Sequence, residues 1–246
     1  MRRSEPDPSD SPGRRAIRLL VWLGFGAVVA LVAGTAGAVF YLESHPPPFS
    51  SFMWQSYEAD PSTGLPCEEI AYDWVSREHI SPDLKLAVVL AEDQRFLLHR
   101  GIDFEAVERA LREREKSGRV RGASTLSQQV AKNLFLWPGP DWTRKFLEVW
   151  FTLWLEAAWS KQRILETYLN VAQFGPCVFG AEAASQRFFQ RSAEQLEPEQ
   201  AALLASVLPN PKKLRAHNPG PFARQRTAEI ADLMDELREA RHLRGL

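Results

Sequence analysis

Residues 141–159 read DWTRKFLEVWFTLWLEAAW. From Phe146 to Trp159 apolar side chains fall on nearly every face of a helical wheel, interrupted only by Glu148, Thr152 and Glu156. A helix apolar all round is a buried one, so the stretch predicts a central helix with others packed about it. Glu148 is its anomaly. A carboxylate inside such a helix is costly unless it is paired or put to use. Arg144 stands one turn earlier, at the i, i+4 spacing that brings side chains together. Two readings stay open: a structural buried ion pair, or a second catalytic acid held beside cations.

Upstream lies Gly122-Ala123-Ser124-Thr125-Leu126-Ser127-Gln128-Gln129. Thr125 followed by Gln128 fits a capping box, which predicts a helix start. With Arg121 before it and Lys132 one turn on, the helix end is either a plain capped terminus or an anion site suited to phosphate. Further back, Ser81-Pro82 pairs a favoured N-cap with a proline at the first helical position. Leu84, Ala87, Val88 and Ala91 then mark one helical stripe. Glu92 follows at the margin of that stripe, with Asp93, Phe96, His99 and Gly101 beyond. It reads either as an exposed helix-end glutamate or as one of two neighbouring acids whose pKa values are pushed apart by apolar surroundings. Asp103 is a plausible N-cap for a charged helix ending near Gly118, with Ile102 and Val107 placed as a hydrophobic staple.

Downstream, Lys161–Phe174 carries the stripe Ile164, Leu165, Tyr168 and Leu169, and ends at Gly175-Pro176. Ala181–Phe189, Pro198–Leu208 and Phe222–Leu237 read as further helices, the last followed by a basic tail. Residues 49–80 lack helical period and read as loop and short extended pieces. The expectation is an all-α domain of roughly eight helices with almost no strand, one lobe gathered around the apolar helix.

The N-terminus differs in kind. Leu19–Leu42 is a run of 24 residues without a charge. As a helix it spans about 36 Å, enough for a hydrocarbon core of about 30 Å. Arg2, Arg3, Arg14, Arg15 and Arg18 precede it, which predicts a cytoplasmic N-terminus with the remainder outside. A cleaved signal peptide, ending at Ala36-Gly37-Ala38, is the rival reading, but the apolar run exceeds the 7–15 residues usual for a signal core. His45-Pro46-Pro47-Pro48 reads as a stiff spacer. The expected organisation is a basic tail over 1–18, an anchor over 19–42, a linker and entry segment over 43–71, and a catalytic domain over 72–246. Thirty Lys and Arg against 31 Asp and Glu leave a net charge of −1, which does not describe a nucleic-acid binder. Two cysteines, Cys67 and Cys177, are too few for a Cys-rich zinc site or a disulfide-dense scaffold. They stand 110 residues apart in a compartment that permits disulfides, and nothing in the sequence places them together.

Taken together these residues carry a resemblance. Glu92-Asp93-Gln94-Arg95-Phe96 with His99 and Gly101 looks like the first motif of peptidoglycan glycosyltransferases. Gly122–Gln129 with Lys132-Asn133 resembles the second, and Arg144-Lys145 with Glu148 the third. Lys161, Ile164-Leu165-Glu166, Tyr168-Leu169-Asn170 and Phe174-Gly175 resemble the fourth, and Ala201–Asn210 with Asn218-Pro219 the fifth. The stretch from Tyr72 to Pro211 is similar throughout to the monofunctional biosynthetic form. The resemblance to the monofunctional form carries the expectation that no transpeptidase domain follows.

The resemblance implies polymerisation of lipid II into β-1,4 glycan strands, with inversion at the donor carbon and release of undecaprenyl diphosphate. It implies a lysozyme-like helical lobe with a smaller membrane-facing lobe, behind a single transmembrane helix in the bacterial inner membrane. Glu92 would be the base on the acceptor hydroxyl, and Glu148 a second carboxylate on the donor side. Lys132, Arg144 and Lys145 would hold diphosphate. Asp93, His99, Ser124, Thr125, Gln128 and Gln129 would bind substrate. No cofactor is required by this reading, with a divalent cation such as Mg or Mn a candidate aid to the diphosphate. Partners among cell-division or elongation proteins stay open. In several members of the family the short loop before the Arg-Lys pair carries a cation, whereas Leu136–Trp142 here carries none. Trp137 and Trp142 fit either a membrane interface or loop packing. A lysozyme-like glycan-cleaving enzyme is the runner-up, and the cations argue against it because a cleaver has no diphosphate to bind. A glycan-binding scaffold without chemistry would not need both Glu92 and Glu148.

Overall fold

The computed structural model describes residues 12–117, 122–139, 141–211 and 214–244. Arg2 and Arg3 of the basic flank, the stop at Gly118, Arg121 and Pro140 fall outside them. Among the described residues there are ten α-helices and a sheet of three very short strands. Two compact units divide the chain, 1–44 and 45–246.

The first unit is dominated by α1 (Pro12–Ser44), a helix long and apolar enough to cross a membrane. Its apolar side chains, Leu19, Trp22, Phe25 and Val28 among them, stand exposed. That is the surface a membrane span presents to lipid, whereas the core helix of a globular protein would bury it.

The second unit begins with α2 (Ser51–Ala59), where a loop was expected. Ser50 Oγ accepts from the amide of Met53 and caps it. The sequence hid this helix because Met53 stands where Glu or Gln completes the usual box, and because Trp54 and Tyr57 point outward while Phe52, Met53 and Ser56 are buried. Next come β1 (Ala71–Tyr72), α3 (Pro82–Glu92), α4 (Phe104–Ser117), α5 (Leu126–Phe135), α6 (Trp142–Ala158) and α7 (Lys161–Val171). Then follow β2 (Gln173–Gly175), β3 (Val178–Phe179), α8 (Ala181–Phe189), α9 (Pro198–Val207) and α10 (Pro221–Arg244). The predicted starts of α3, α4 and α5 hold: Ser81 caps α3, Asp103 Oδ1 accepts from Ala106 N, and Thr125 with Gln128 makes a reciprocal capping box. The last helix continues past Leu237 to Arg244 rather than giving way to a basic tail. Arg238 is drawn into it by ion pairs to Asp235 and to Asp83 on α3.

The helices form two packed groups. One joins α3, α9 and α10; the other joins α5 with α2, α6 and α7. In the small sheet β3 lies in the middle, parallel to β1 and antiparallel to β2. The helix at the centre is α5, buried at Leu126, Ser127, Gln128, Val130, Ala131, Asn133 and Leu134.

The expectation that α6 would be central is overturned. Its buried residues are Glu148, Thr152 and Leu155. Trp142 is 90% and Phe146 70% exposed, and Leu153 shares their face. The polar interruptions mark the inward side of this helix, Trp142 and Phe146 face out, and Trp150, Phe151 and Trp154 are half-buried. Packing against α5 is carried by Phe135 and Phe151, whose rings stack 4.4 Å apart. On α4 the exposed Phe104, Val107 and Leu111 also line one helical face.

Candidate active site

Glu92 ends α3, where the two helix groups meet. Its side chain is only 10% exposed. Oε2 accepts from Nε2 of Gln129 on α5 at 3.0 Å. Gln129 Oε1 in turn accepts from the hydroxyl of the fully buried Tyr168 on α7 at 3.3 Å. Burial pushes the Glu92 carboxyl above its ordinary value, and the Gln129 hydrogen bond, Arg226 and Lys132 pull the other way. An acid raised in this manner is suited to proton transfer near neutral pH. The carboxylate opens onto a cavity of about 430 Å³ walled by α3, α4 and residues 122–125, Ser124 among them.

Asp93 is placed otherwise. It is buried, and its carboxylate accepts from the Leu126 amide at 3.0 Å and contacts His99 Nε2 at 3.0 and 3.1 Å. The N-terminus of α5, which read as either a plain capped terminus or a phosphate site, therefore already holds a carboxylate of the protein itself. The Gln128 amide is likewise taken by Thr125 Oγ1, which also donates to Gly101 O. Thr125 and Gln128 thus cap α5, and Asp93 with His99 ties the end of α3 to its start, while Asp93 and Thr125 also line the cavity. Gly101 makes this junction possible. Its φ is +87°, and a Cβ there would lie 2.7 Å from Thr152 Cγ2 on α6.

Glu148 is 3% exposed and paired twice, with Arg144 Nη1 at 2.8 Å and with Lys145 Nζ. Lys145 also reaches Ser124 Oγ at 3.4 Å, and Arg144 Nε donates to Gly139 O at 2.8 Å. So the ion pair exists, and Arg144 in addition pins the loop that carries no cation of its own. In that loop Trp142 is almost fully exposed, while Trp137 is at the edge of exposure.

Lys132 differs from Arg144 and Lys145. It holds no ion pair among the described residues, its ammonium sits 5.4 Å above the Phe52 ring, and burial lowers its pKa. It lines a second cavity, of about 260 Å³, with Gln129, Asn133, Tyr168 and Gln173. Gln129 joins the two cavities, since it lines the second and bonds to Glu92 in the first.

Sequence reasoning did not anticipate the outer wall of this second cavity. Cys67 and Cys177 form a disulfide, with Cα atoms 5.9 Å apart. Beside it the buried Asp60 accepts from Ser62 N and Thr63 N through Oδ1, and from Gln173 Nε2 and Cys177 N through Oδ2. Pro61, Ser62 and Gln173 face the cavity. Among the described residues Asp60, Cys67 and Cys177 are the one group of three close enough for a metal, and both cysteines are spent on the disulfide. Also unforeseen is Arg226 on α10, whose Nη2 lies 3.7 Å from Glu92 Oε1. It stands 134 residues from Glu92, in no spacing that a sequence would flag.

Comparison with known proteins adds the following. The family described as Transglycosylase matches residues 63–235. A protein of Haemophilus influenzae named biosynthetic peptidoglycan transglycosylase is 52% identical over 193 residues, 78% of each chain. One of the same name from Pseudomonas aeruginosa is 47% identical over 224 residues, covering 91% of this chain and 93% of its own. Another, from Xanthomonas campestris, is 43% identical over 239 residues, 97% of this chain and 94% of its own.

Proposed function

The chain belongs to the transglycosylase family and is a peptidoglycan glycosyltransferase of cell-wall synthesis, and from that premise we propose that it joins lipid II units with Glu92 as the general base. The observation that carries this is the setting of Glu92: a buried carboxylate with one oxygen held by Gln129, opening onto a cavity, with Lys132, which holds no ion pair among the described residues, in the cavity next door.

The acceptor sugar hydroxyl gives its proton to Glu92 as its oxygen attacks the donor anomeric carbon. The bond from that carbon to the diphosphate oxygen breaks with inversion, and undecaprenyl diphosphate leaves. Negative charge grows on the diphosphate in this step, so a preplaced cation lowers the barrier. Lys132 is the cation available for it. Arg144 and Lys145 are kept oriented by Glu148, and Lys145 reaches Ser124, which borders the Glu92 cavity. Asp93, His99, Thr125 and Gln128 shape the site by fixing α3 against α5.

The chain is membrane-anchored through α1. Its basic flank supports a cytoplasmic N-terminus in the inner membrane, with 45–246 on the outer side of that membrane. The exposed apolar faces of α4 and α6 suit a lobe that meets the lipid tails of its substrate. Purified chain supplied with lipid II is expected to yield polymer on a gel. Lys132→Ala should weaken donor binding by roughly 10–150-fold, the scale of one charge-assisted contact. A chain that releases soluble fragments from existing glycan and makes no polymer would instead be a cleaving enzyme.

A further inference from the structure

Glu92 is gripped from two sides, and only one of them belongs to the cleft. On the other, α10 runs antiparallel along α3 and is fastened at both ends. Arg238 Nη2 donates to Asp83 Oδ1 in the first turn of α3. At the opposite end Arg226 Nη2 donates to the carbonyl of Ala91 at 3.0 Å and lies 3.7 Å from Glu92 Oε1. The two side chains are 25% and 10% exposed. Glu92 Oε1 and Arg226 Nε are both buried and have no hydrogen-bond partner among the described residues.

We propose that Arg226 is a positioning residue for the general base, fixing the Glu92 side chain and supplying the positive charge against which its carboxylate is held ready for a proton. This rests on the reading of Glu92 as the base. The charged and titratable groups facing Glu92 are few. Lys132 comes from α5, Arg226 from α10, Asp93 from the adjoining position and Tyr168 from α7. Asp93 is engaged by His99 and Leu126. The Tyr168 hydroxyl is pushed far above neutral pH by burial. When a diphosphate occupies Lys132, that cation is neutralised, and Arg226 remains as the counter-charge that opposes the desolvation of Glu92. A cation at this range favours the charged form of a carboxylate, typically by about 1–3 pH units.

The test is the pH dependence of kcat/KM for polymerisation by the full chain in detergent, which reports the free enzyme's base. Arg226→Gln removes the charge, so the acidic limb should move to higher pH by about one unit or more, with activity recovering at alkaline pH. Arg226→Lys keeps the charge and should hold the limb near wild type. Arg238→Gln cuts the other fastening and should lower the melting temperature with the limb unmoved. Arg226→Gln falling equally at every pH, or Arg238→Gln shifting the limb as far, overturns the proposal. If Arg226→Gln does not fold, the double variant with Glu92→Gln decides: under the proposal it folds, because the uncompensated buried carboxylate is gone, and failure to fold makes the role of Arg226 structural only. An active Glu92→Gln would mean that the base itself was misassigned. An inactive Glu92→Gln with an unmoved Arg226→Gln limb would sink this inference alone.

Discussion

Gln129 and Glu92 are 37 residues apart in sequence and joined by a 3.0 Å hydrogen bond from Nε2 to Oε2. The bond aims the carboxylate and favours its charged form, against the burial that raises its pKa. Gln129→Ala should therefore reduce polymerisation at neutral pH by roughly 10-fold or more, the scale of a hydrogen bond to a charged group. The sign of the pH effect follows: with less to favour the anion, the acidic limb of the rate profile moves up. A variant with wild-type rate and limb would remove Gln129 from the site.

At Glu148 stability and activity should fall together. Taking away the carboxylate with Glu148→Gln leaves Arg144 and Lys145 facing each other. Breaking a buried pair costs about 3–5 kcal/mol, reduced here to roughly 1–3 because Lys145 is partly in solvent and Arg144 keeps the Gly139 carbonyl. A thermal scan should show the melting temperature lowered by several degrees, and polymerisation should be lost as the two cations drift from the donor. A variant that melts with the wild type yet makes no polymer would show that Glu148 acts in chemistry alone.

The disulfide gives a prediction independent of the reaction. It closes a loop with a sequence separation of 110 residues. Constraining an unfolded loop of that size is worth roughly 2–5 kcal/mol. Cys67→Ser or Cys177→Ser should melt correspondingly lower, and reductant should bring the wild type down to the same temperature. Because Pro61, Ser62 and Gln173 wall the cavity beside Lys132, donor binding should weaken as well. No change with reductant would mean that Asp60 and its hydrogen bonds hold that wall unaided.

The parts of this fold that the sequence disclosed are those governed by local chemistry. Ser81-Pro82, Asp103 and the Thr125–Gln128 box each fix a helix start within four residues, and each cap is present. Of the motif residues, Glu92 lines one cavity and Gln129 and Lys132 the next, while Arg144, Lys145 and Glu148 form an ion-paired cluster of their own. What stayed hidden depends on partners far away. Helix α2 escaped because its outward residues are aromatic, which erases the polar half of the pattern. Helix α6 was read as central because apolar residues on every face look the same in sequence whether the fold buries them or leaves them exposed. Asp93 and Thr125 do line the Glu92 cavity, but the hydrogen bonds by which Asp93, His99, Thr125 and Gln128 join α3 to α5 could not be read from the motif, which records that a residue matters and not which partner it takes. Arg226 and the Cys67–Cys177 pair required the tertiary fold, which brings them in over 134 and 110 residues.

Glu92 is the residue on which polymerisation turns, and the most direct test is polymerisation of lipid II by Glu92→Gln. The amide keeps size and hydrogen bonding and removes the basic oxygen. Polymer formation should fall by at least about 10²-fold, the usual scale for losing a general base, with lipid II still bound. Stability follows from the raised pKa. A buried carboxyl of that kind contributes its stability below the ordinary glutamate value and loses it as pH rises through the folded value. At neutral pH the variant should consequently melt at or above the wild type. Polymerisation by Glu92→Gln at close to the wild-type rate would contradict the central claim.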